Sequence, residues 1–236
     1  MIGQQLEPDS LIARNLAEVR ERVELAARFS GRSASEITIV AVSKTFPREA
    51  VDEAHALGLN VFGENRVQEA TAKFADSMPT DMRVHLIGQL QSNKVRAAIA
   101  LFDRIESVDR ISLITALEKE AARIDTRVSV LLQVNVSREV QKSGCGPDEA
   151  ILLAEAIVAC DHLRLDGLMG IAPFVYDAVD ARPAFRELRA LRDSIVWGVP
   201  GSDLPVLSMG MSGDFEVAIE EGATHVRIGS AIFGGR

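Results

Sequence analysis

Lys44 is the residue on which the chemistry of this chain could turn. It follows the apolar run Ile39-Val40-Ala41-Val42 and Ser43. An amine held at the edge of an apolar core loses its proton more easily and becomes a nucleophile toward an aldehyde. The competing reading is a lysine that snorkels to solvent or pairs with Glu64, and position alone favours it. A second set of residues lies near the C-terminus: Ser208-Met209-Gly210-Met211-Ser212-Gly213-Asp214, then Arg227, then Gly229-Ser230. The first stretch is small and glycine-rich, and Asp214 begins a helical pattern whose free N–H groups would suit an anion such as phosphate. Ser212 and Ser230 could add hydroxyl donors. An ordinary Gly/Ser loop with Ser212 as helix cap is the alternative. Arg227 stands between Val226 and Ile228. If it points inward its charge needs a partner. A pyridine-type ring nitrogen is one candidate, and a buried ion pair with Glu64 or Asp214 is the other.

Other polar residues can be read two ways. Asn65 could orient a ring oxygen or cap the next helix. His85 could face a ring or be a satisfied core histidine, the better reading on type alone. Met169 suits interior filling more than a specific contact. Arg66, Gln89, Asn93 and Lys94 could be a polar rim or could meet a substrate carboxylate. Lys142 reads as part of a solvated loop, or as a second amine.

The elements that must gather these residues repeat one pattern. Strand candidates are Ile37–Ser43, Asn60–Gly63, Val84–Gly88, Arg104–Val108, Val128–Val136, Leu165–Ile171, Pro205–Met209 and His225–Gly229. Several are apolar at consecutive positions, as expected of parallel strands covered on both faces. Helical patterns alternate with them: Arg48–Leu57, Gln91–Phe102, Asp109–Arg123, Asp148–Cys160, Pro183–Val196 and Asp214–Glu221. An additional N-terminal helix near Ser10–Phe29 aligns Ile12, Leu16, Val19 and Val23 on one stripe. No linker divides the chain. The longest irregular stretch, Ala172–Arg182, could lie over a barrel mouth. The alternation predicts an α/β fold, a single (β/α)8 TIM barrel spanning residues 1–236, close to the usual size of about 250 residues. A doubly wound open sheet would usually announce a nucleotide by G-x-G-x-x-G or a P-loop, and neither pattern occurs. In a barrel the candidates above fall at the C-terminal ends of strands, where active sites form, and the loops after strands 7 and 8 commonly take phosphate.

Composition narrows the field. The net charge of -8 argues against a broad nucleic-acid face. The four histidines are scattered, the two cysteines form no CxxC, and no metal site is expected. The cysteines read as thiols of a reducing cytoplasm. No apolar run approaches the roughly 20 residues of a membrane span. Met1–Ser10 carries no signal-peptide pattern.

Taken in order, six segments carry a family resemblance: Val40-Ala41-Val42-Ser43-Lys44-Thr45, residues 62–69 (Phe-Gly-Glu-Asn-Arg-Val-Gln-Glu), residues 85–94 (His-Leu-Ile-Gly-Gln-Leu-Gln-Ser-Asn-Lys), Gly167-Leu168-Met169, residues 207–214 and residues 227–234. They resemble the pyridoxal phosphate homeostasis proteins, whose domain is similar to the N-terminal barrel of alanine racemase. The resemblance implies pyridoxal 5'-phosphate (PLP) as cofactor, held as a Schiff base on Lys44, with Asn65 near the ring and Arg227 toward the ring nitrogen. It places the phosphate among Met211, Ser212, Gly229 and Ser230. Together with His85, Met169, Ser208 and Gly213, these are the candidate cofactor-binding residues. A racemase on this barrel adds a second β domain and an acid/base tyrosine. Here the sequence stops at Arg236, just after the eighth strand, and the one tyrosine, Tyr176, matches no such motif. An arginine at the ring nitrogen also weakens the ring as an electron sink. The expectation is a cytoplasmic, monomeric PLP carrier or buffer that could serve PLP-dependent apoenzymes. A racemase-like enzyme is the alternative, and a phosphate-binding barrel without PLP is the third reading.

Overall fold

A computed structural model describes residues 10–75, 78–139 and 142–235. Eight parallel strands succeed one another around a closed barrel: β1 (Thr38–Val42), β2 (Val61–Glu64), β3 (Arg83–Leu86), β4 (Arg104–Val108), β5 (Val128–Val134), β6 (Leu163–Gly170), β7 (Val206–Met211) and β8 (His225–Ile228). β8 returns to β1 in the register Thr38↔His225 to Ala41↔Ile228, so no sheet edge remains. Each expected strand falls on one of these, with ends displaced by at most two residues. Consecutive apolar residues are the reason: β5 is buried at every position, on its inner face and under its helices.

The helices are α1 (Leu11–Phe29), α2 (Arg48–Ala56), α3 (Val67–Lys73), α4 (Val95–Leu101), α5 (Ile111–Arg123), α6 (Ala150–Val158), α7 (Arg182–Gly198), α8 (Phe215–Glu220) and α9 (Ser230–Phe233). Two of them, α3 and α9, are absent from the sequence-based segments. α3 buries only Val67 and Ala70, and α9 is one turn long, so neither shows a periodicity. The added N-terminal helix is present. Ser10 caps it by accepting the Ala13 N–H at 3.1 Å, and Ile12, Leu16, Val19 and Val23 are buried as a stripe. α1 packs on α8 and α9, where Asn15 donates to the Ile232 carbonyl at 3.0 Å and Arg22 pairs with Glu216 at 2.6 Å. The reading of Met1–Ser10 lies, except for Ser10, outside the described residues. No described helix is long and apolar enough to cross a membrane.

Candidate functional site

The sequence places two unlike sets of residues next to each other in the barrel interior. Leu131, Met169 and Val206, with Ile171, form an apolar cluster. Beside them, with Ser208 in register with Met169, His85, Glu106, Ser208 and Arg227 are buried. In the parallel register, side chains of paired residues share a face, so Val40 and Arg227 point the same way. The Arg227 guanidinium donates to Ser208 Oγ at 2.8 Å and to the Gly170 carbonyl at 2.8 Å. Ser208 donates its own proton to Glu106 Oε2 at 2.6 Å, and His85 Nδ1 lies 2.8 Å from Glu106 Oε1. Burial pushes the Glu106 carboxyl up. The hydrogen bond and charge of His85, the charge of Arg227 and the Ser208 hydroxyl outweigh it and hold the group at about 2. Burial likewise disfavours the charge of Arg227, and Glu106 and Asp214 oppose that effect. Neither ion pair foreseen for Arg227 forms directly. Glu106 compensates its charge through Ser208. Glu106 was not among the candidates, although a glutamate at the middle of the strand candidate Arg104–Val108 was a legible signal.

Above this floor, at the C-terminal ends of the strands, opens a cavity of about 720 Å³. Eight candidates line it: Lys44, Asn65, Met211, Ser212, Gly213, Arg227, Gly229 and Ser230. The other three do not. His85 and Ser208 lie in the polar network beneath, and Met169 fills the apolar cluster as its type suggested. Arg66 and Gln89 reach the cavity wall, joined by Gln133 and Ser143, which the sequence reading missed. Gln133 lies one residue before the end of β5, and a polar residue between Leu132 and Val134 was the signal for it. Asn135 is structural, donating to the Glu139 and Lys142 carbonyls.

Lys44 stands in a tight turn after β1, closed by the Phe46 N–H donating to the Ser43 carbonyl at 3.0 Å. Thr45 takes φ 69°, costly for a β-branched residue, on the order of 1–3 kcal/mol. The turn is pinned by Phe46, whose ring stacks on Phe233 at 4.9 Å. Glu64 does not pair with Lys44. Lys73 from α3 takes Glu64 Oε1 at 2.5 Å and the Ser43 carbonyl at 2.7 Å, and Ser43 Oγ donates to the same carboxylate. The exposed Lys44 amine therefore has no ion pair or hydrogen bond among the described residues. Lys142 differs: its amine pairs with Glu139 at 2.6 Å and donates to the Ala172 carbonyl at 3.1 Å. It borders a neighbouring hollow of about 320 Å³ with Phe174, Met211 and Asp214. The irregular loop after β6 thus flanks the mouth, and Phe174 and Tyr176 stand exposed there, edge to face.

Asn65 comes directly after β2 and is not the cap of α3; that position is Arg66. Its place depends on Gly88, where a Cβ would stand 2.2 Å from the Asn65 carbonyl oxygen. Gly210, at φ 89°, lets the end of β7 meet α8: a Cβ there would lie 2.6 Å from that of Ala218. The loop after β7 departs from expectation. Asp214, not Ser212, is the residue before α8, and its carboxylate accepts the Met211 N–H at 2.6 Å. Burial raises the Asp214 carboxyl, against the Met211 N–H and Arg227. Ser212 instead turns its hydroxyl to the Gly229 and Ala231 N–H groups, 3.3 Å from each. The loop after β7 and the turn after β8 therefore meet at Ser212, on the cavity wall.

Barrel and cavity together define an alanine-racemase-type (β/α)8 domain, and the family model "Alanine racemase, N-terminal domain" matches residues 14–236. Within that class the chain belongs to the pyridoxal phosphate homeostasis proteins. A relative of that name from Pseudomonas aeruginosa is 44% identical over 96% of each chain, and one from Escherichia coli K12 is 41% identical over 95% of this chain and 97% of its own. The solved structure of PipY from Synechococcus elongatus, described with PLP bound, is 35% identical with a TM-score of 0.82, covering 94% of this chain and all of that one. An alanine racemase from Corynebacterium glutamicum shares the fold alone, at 19% identity and TM-score 0.66 over 92% of this chain and 60% of its own.

Proposed function

We propose that this chain binds PLP as a Schiff base on Lys44 and serves PLP homeostasis by carrying, buffering or delivering the cofactor. The observation that carries the reading is the convergence on one cavity of an amine without a carboxylate partner, a buried guanidinium and a cluster of hydroxyl and N–H donors. Residues fit the cofactor part by part. Lys44 would supply the amine to its aldehyde. Arg227, its charge fixed from below by Ser208 and Glu106, would face the ring nitrogen and keep it unprotonated. Asn65 would stand beside the ring. Met211, Ser212, Gly213, Gly229 and Ser230 would hold the phosphate, and His85, Ser208 and Met169 would support the floor. The name shared by the relatives and the PLP described in the PipY structure support the same assignment.

When bound, PLP supplies an electrophilic carbon and an electron-withdrawing ring. The protein's own groups restrict the chemistry open to it. An unprotonated ring nitrogen withdraws electrons weakly. The one tyrosine is fully exposed on the β6–α7 loop, and His85 is tied to Glu106 within the floor. That arrangement favours a binding protein over a racemase-like enzyme, which needs an acid/base on each side of the reacting carbon. In this reading the barrel is one PLP-binding domain and acts as a cytoplasmic monomer that could hand its cofactor to PLP-dependent apoenzymes.

The test is the visible absorption spectrum with PLP, for wild type beside Lys44→Ala, before and after borohydride. A Schiff-base band in wild type that borohydride abolishes, and that the variant lacks, is expected. No band in wild type with excess PLP would sink the reading and favour a phosphate-binding barrel. A band persisting in the variant would move the Schiff base to another lysine, with Lys142 first in line.

A further inference from the structure

We infer that the opposite, N-terminal end of the barrel carries a second anion site, built on Arg104, Arg127 and Arg164, for a small organic polyanion bearing carboxylate or phosphate groups. A cavity of about 530 Å³ opens there, at the starts of β4 to β7 and under residues 201–205. Its size falls within the range of ligand pockets, about 300–1,000 Å³. Three arginines line it against two aspartates, Asp166 and Asp203, a surplus of one positive charge in a chain whose net charge is -8.

The arginines are not equivalent. Arg164 grips Asp166 with two N–H groups, at 2.5 and 3.0 Å, and Arg104 reaches the same carboxylate at 3.2 Å. Ser129 Oγ donates to it at 2.5 Å and also accepts from Arg104 at 3.0 Å. His225 Nε2 lies 3.2 Å from Arg104, and burial pushes that imidazole down to about 4, leaving it neutral and able to accept. This network braces the strand starts and holds two guanidiniums in fixed orientations. Arg127 takes no part in it. It is exposed at the cavity, and its side chain has no hydrogen bond or ion pair among the described residues. A cross-brace alone needs Arg104, Arg164 and Asp166 but leaves Arg127 without a use. An anion would use all three: planar guanidinium forks match carboxylate and phosphate oxygens. Two are already ordered, so binding would immobilise little more than Arg127.

The test is an amide NMR titration of the whole protein with citrate, and separately with inorganic phosphate, at constant ionic strength. Wild type should show saturable shifts at residues 163–166, 201–204 and 206. Arg127→Ala should raise the half-saturating concentration about tenfold, the loss expected for one charge-assisted contact. Shifts at the mouth, residues 211–213 and 229–230, should be the same in both proteins. Shifts linear in anion concentration, equal half-saturation in the variant, or saturable shifts confined to the mouth would each overturn the proposal. Arg127 is exposed, so its loss leaves the fold intact, and the wild-type titration is decisive by itself.

Discussion

The barrel interior holds two neighbouring sets of residues with different roles, which meet where Met169 and Ser208 stand in register. Leu131, Met169 and Val206 fill the apolar side as an ordinary barrel core does. The polar side devotes buried volume to His85, Glu106, Ser208 and Arg227, linked in a chain of hydrogen bonds. A hydrophobic set of similar volume would often be as stable or more so. The polar side therefore serves position more than stability: it holds one guanidinium at a defined height under the mouth. The clearest way to break this contrast is Glu106→Ala. It leaves Arg227 buried and uncompensated, and should cost about 3–5 kcal/mol in urea unfolding. A loss under about 1 kcal/mol would mean that Arg227 relaxes out of the interior, and the two sides would not differ as argued.

Acid should act next, through buried titratable groups alone. His225 is held down to about 4 by burial, from an ordinary value of 6.5. The unfolded chain thus binds a proton that the folded chain refuses between those values, and stability falls as pH drops from 6.5 toward 4. Glu106, depressed from 4.5 to about 2, contributes stability that is full above 4.5 and is lost as pH falls toward 2. The thermal midpoint should therefore decline in two stages. His225→Gln should flatten the first stage and spare the second; an unchanged first stage would remove His225 from the account.

The same division decided what was legible in the sequence. Strands with consecutive apolar residues pointed to the barrel, and residues at strand ends included eight of the cavity-lining positions. The polar floor was legible only in pieces. His85 and Arg227 could be seen to need partners, but nothing in the sequence says that Glu106, on the strand next to His85, also reaches Arg227 through Ser208. Pairing across an interior depends on register and stagger, as at the shifts between β4 and β5 and between β7 and β8, and single-residue spacing does not carry that. Lys73 was missed for a related reason. Glu64 looked available to Lys44 because they lie at the ends of adjacent strands, but α3 brings a second lysine to it at 2.5 Å.

The apolar side should be forgiving. Met169→Leu keeps volume and polarity and should cost under about 1.5 kcal/mol, with the PLP spectrum unchanged. A larger loss, or a shifted band, would mean that Met169 acts on the cofactor as well as on packing.

The smallest effect on stability is expected at the residue with the largest effect on the proposed function. Lys44 is exposed, and its amine has no hydrogen bond or ion pair among the described residues, so Lys44→Ala should change unfolding free energy by no more than about 0.5 kcal/mol. Lys142→Ala is the useful companion, because it removes an ion pair with Glu139 and a bond to Ala172. Lys142→Ala should therefore be the more destabilising of the two, yet keep the Schiff-base band that Lys44→Ala loses. The opposite order, with Lys44→Ala unfolding the protein, would show that the loss of the band reports a damaged mouth and says nothing about which amine bears the cofactor.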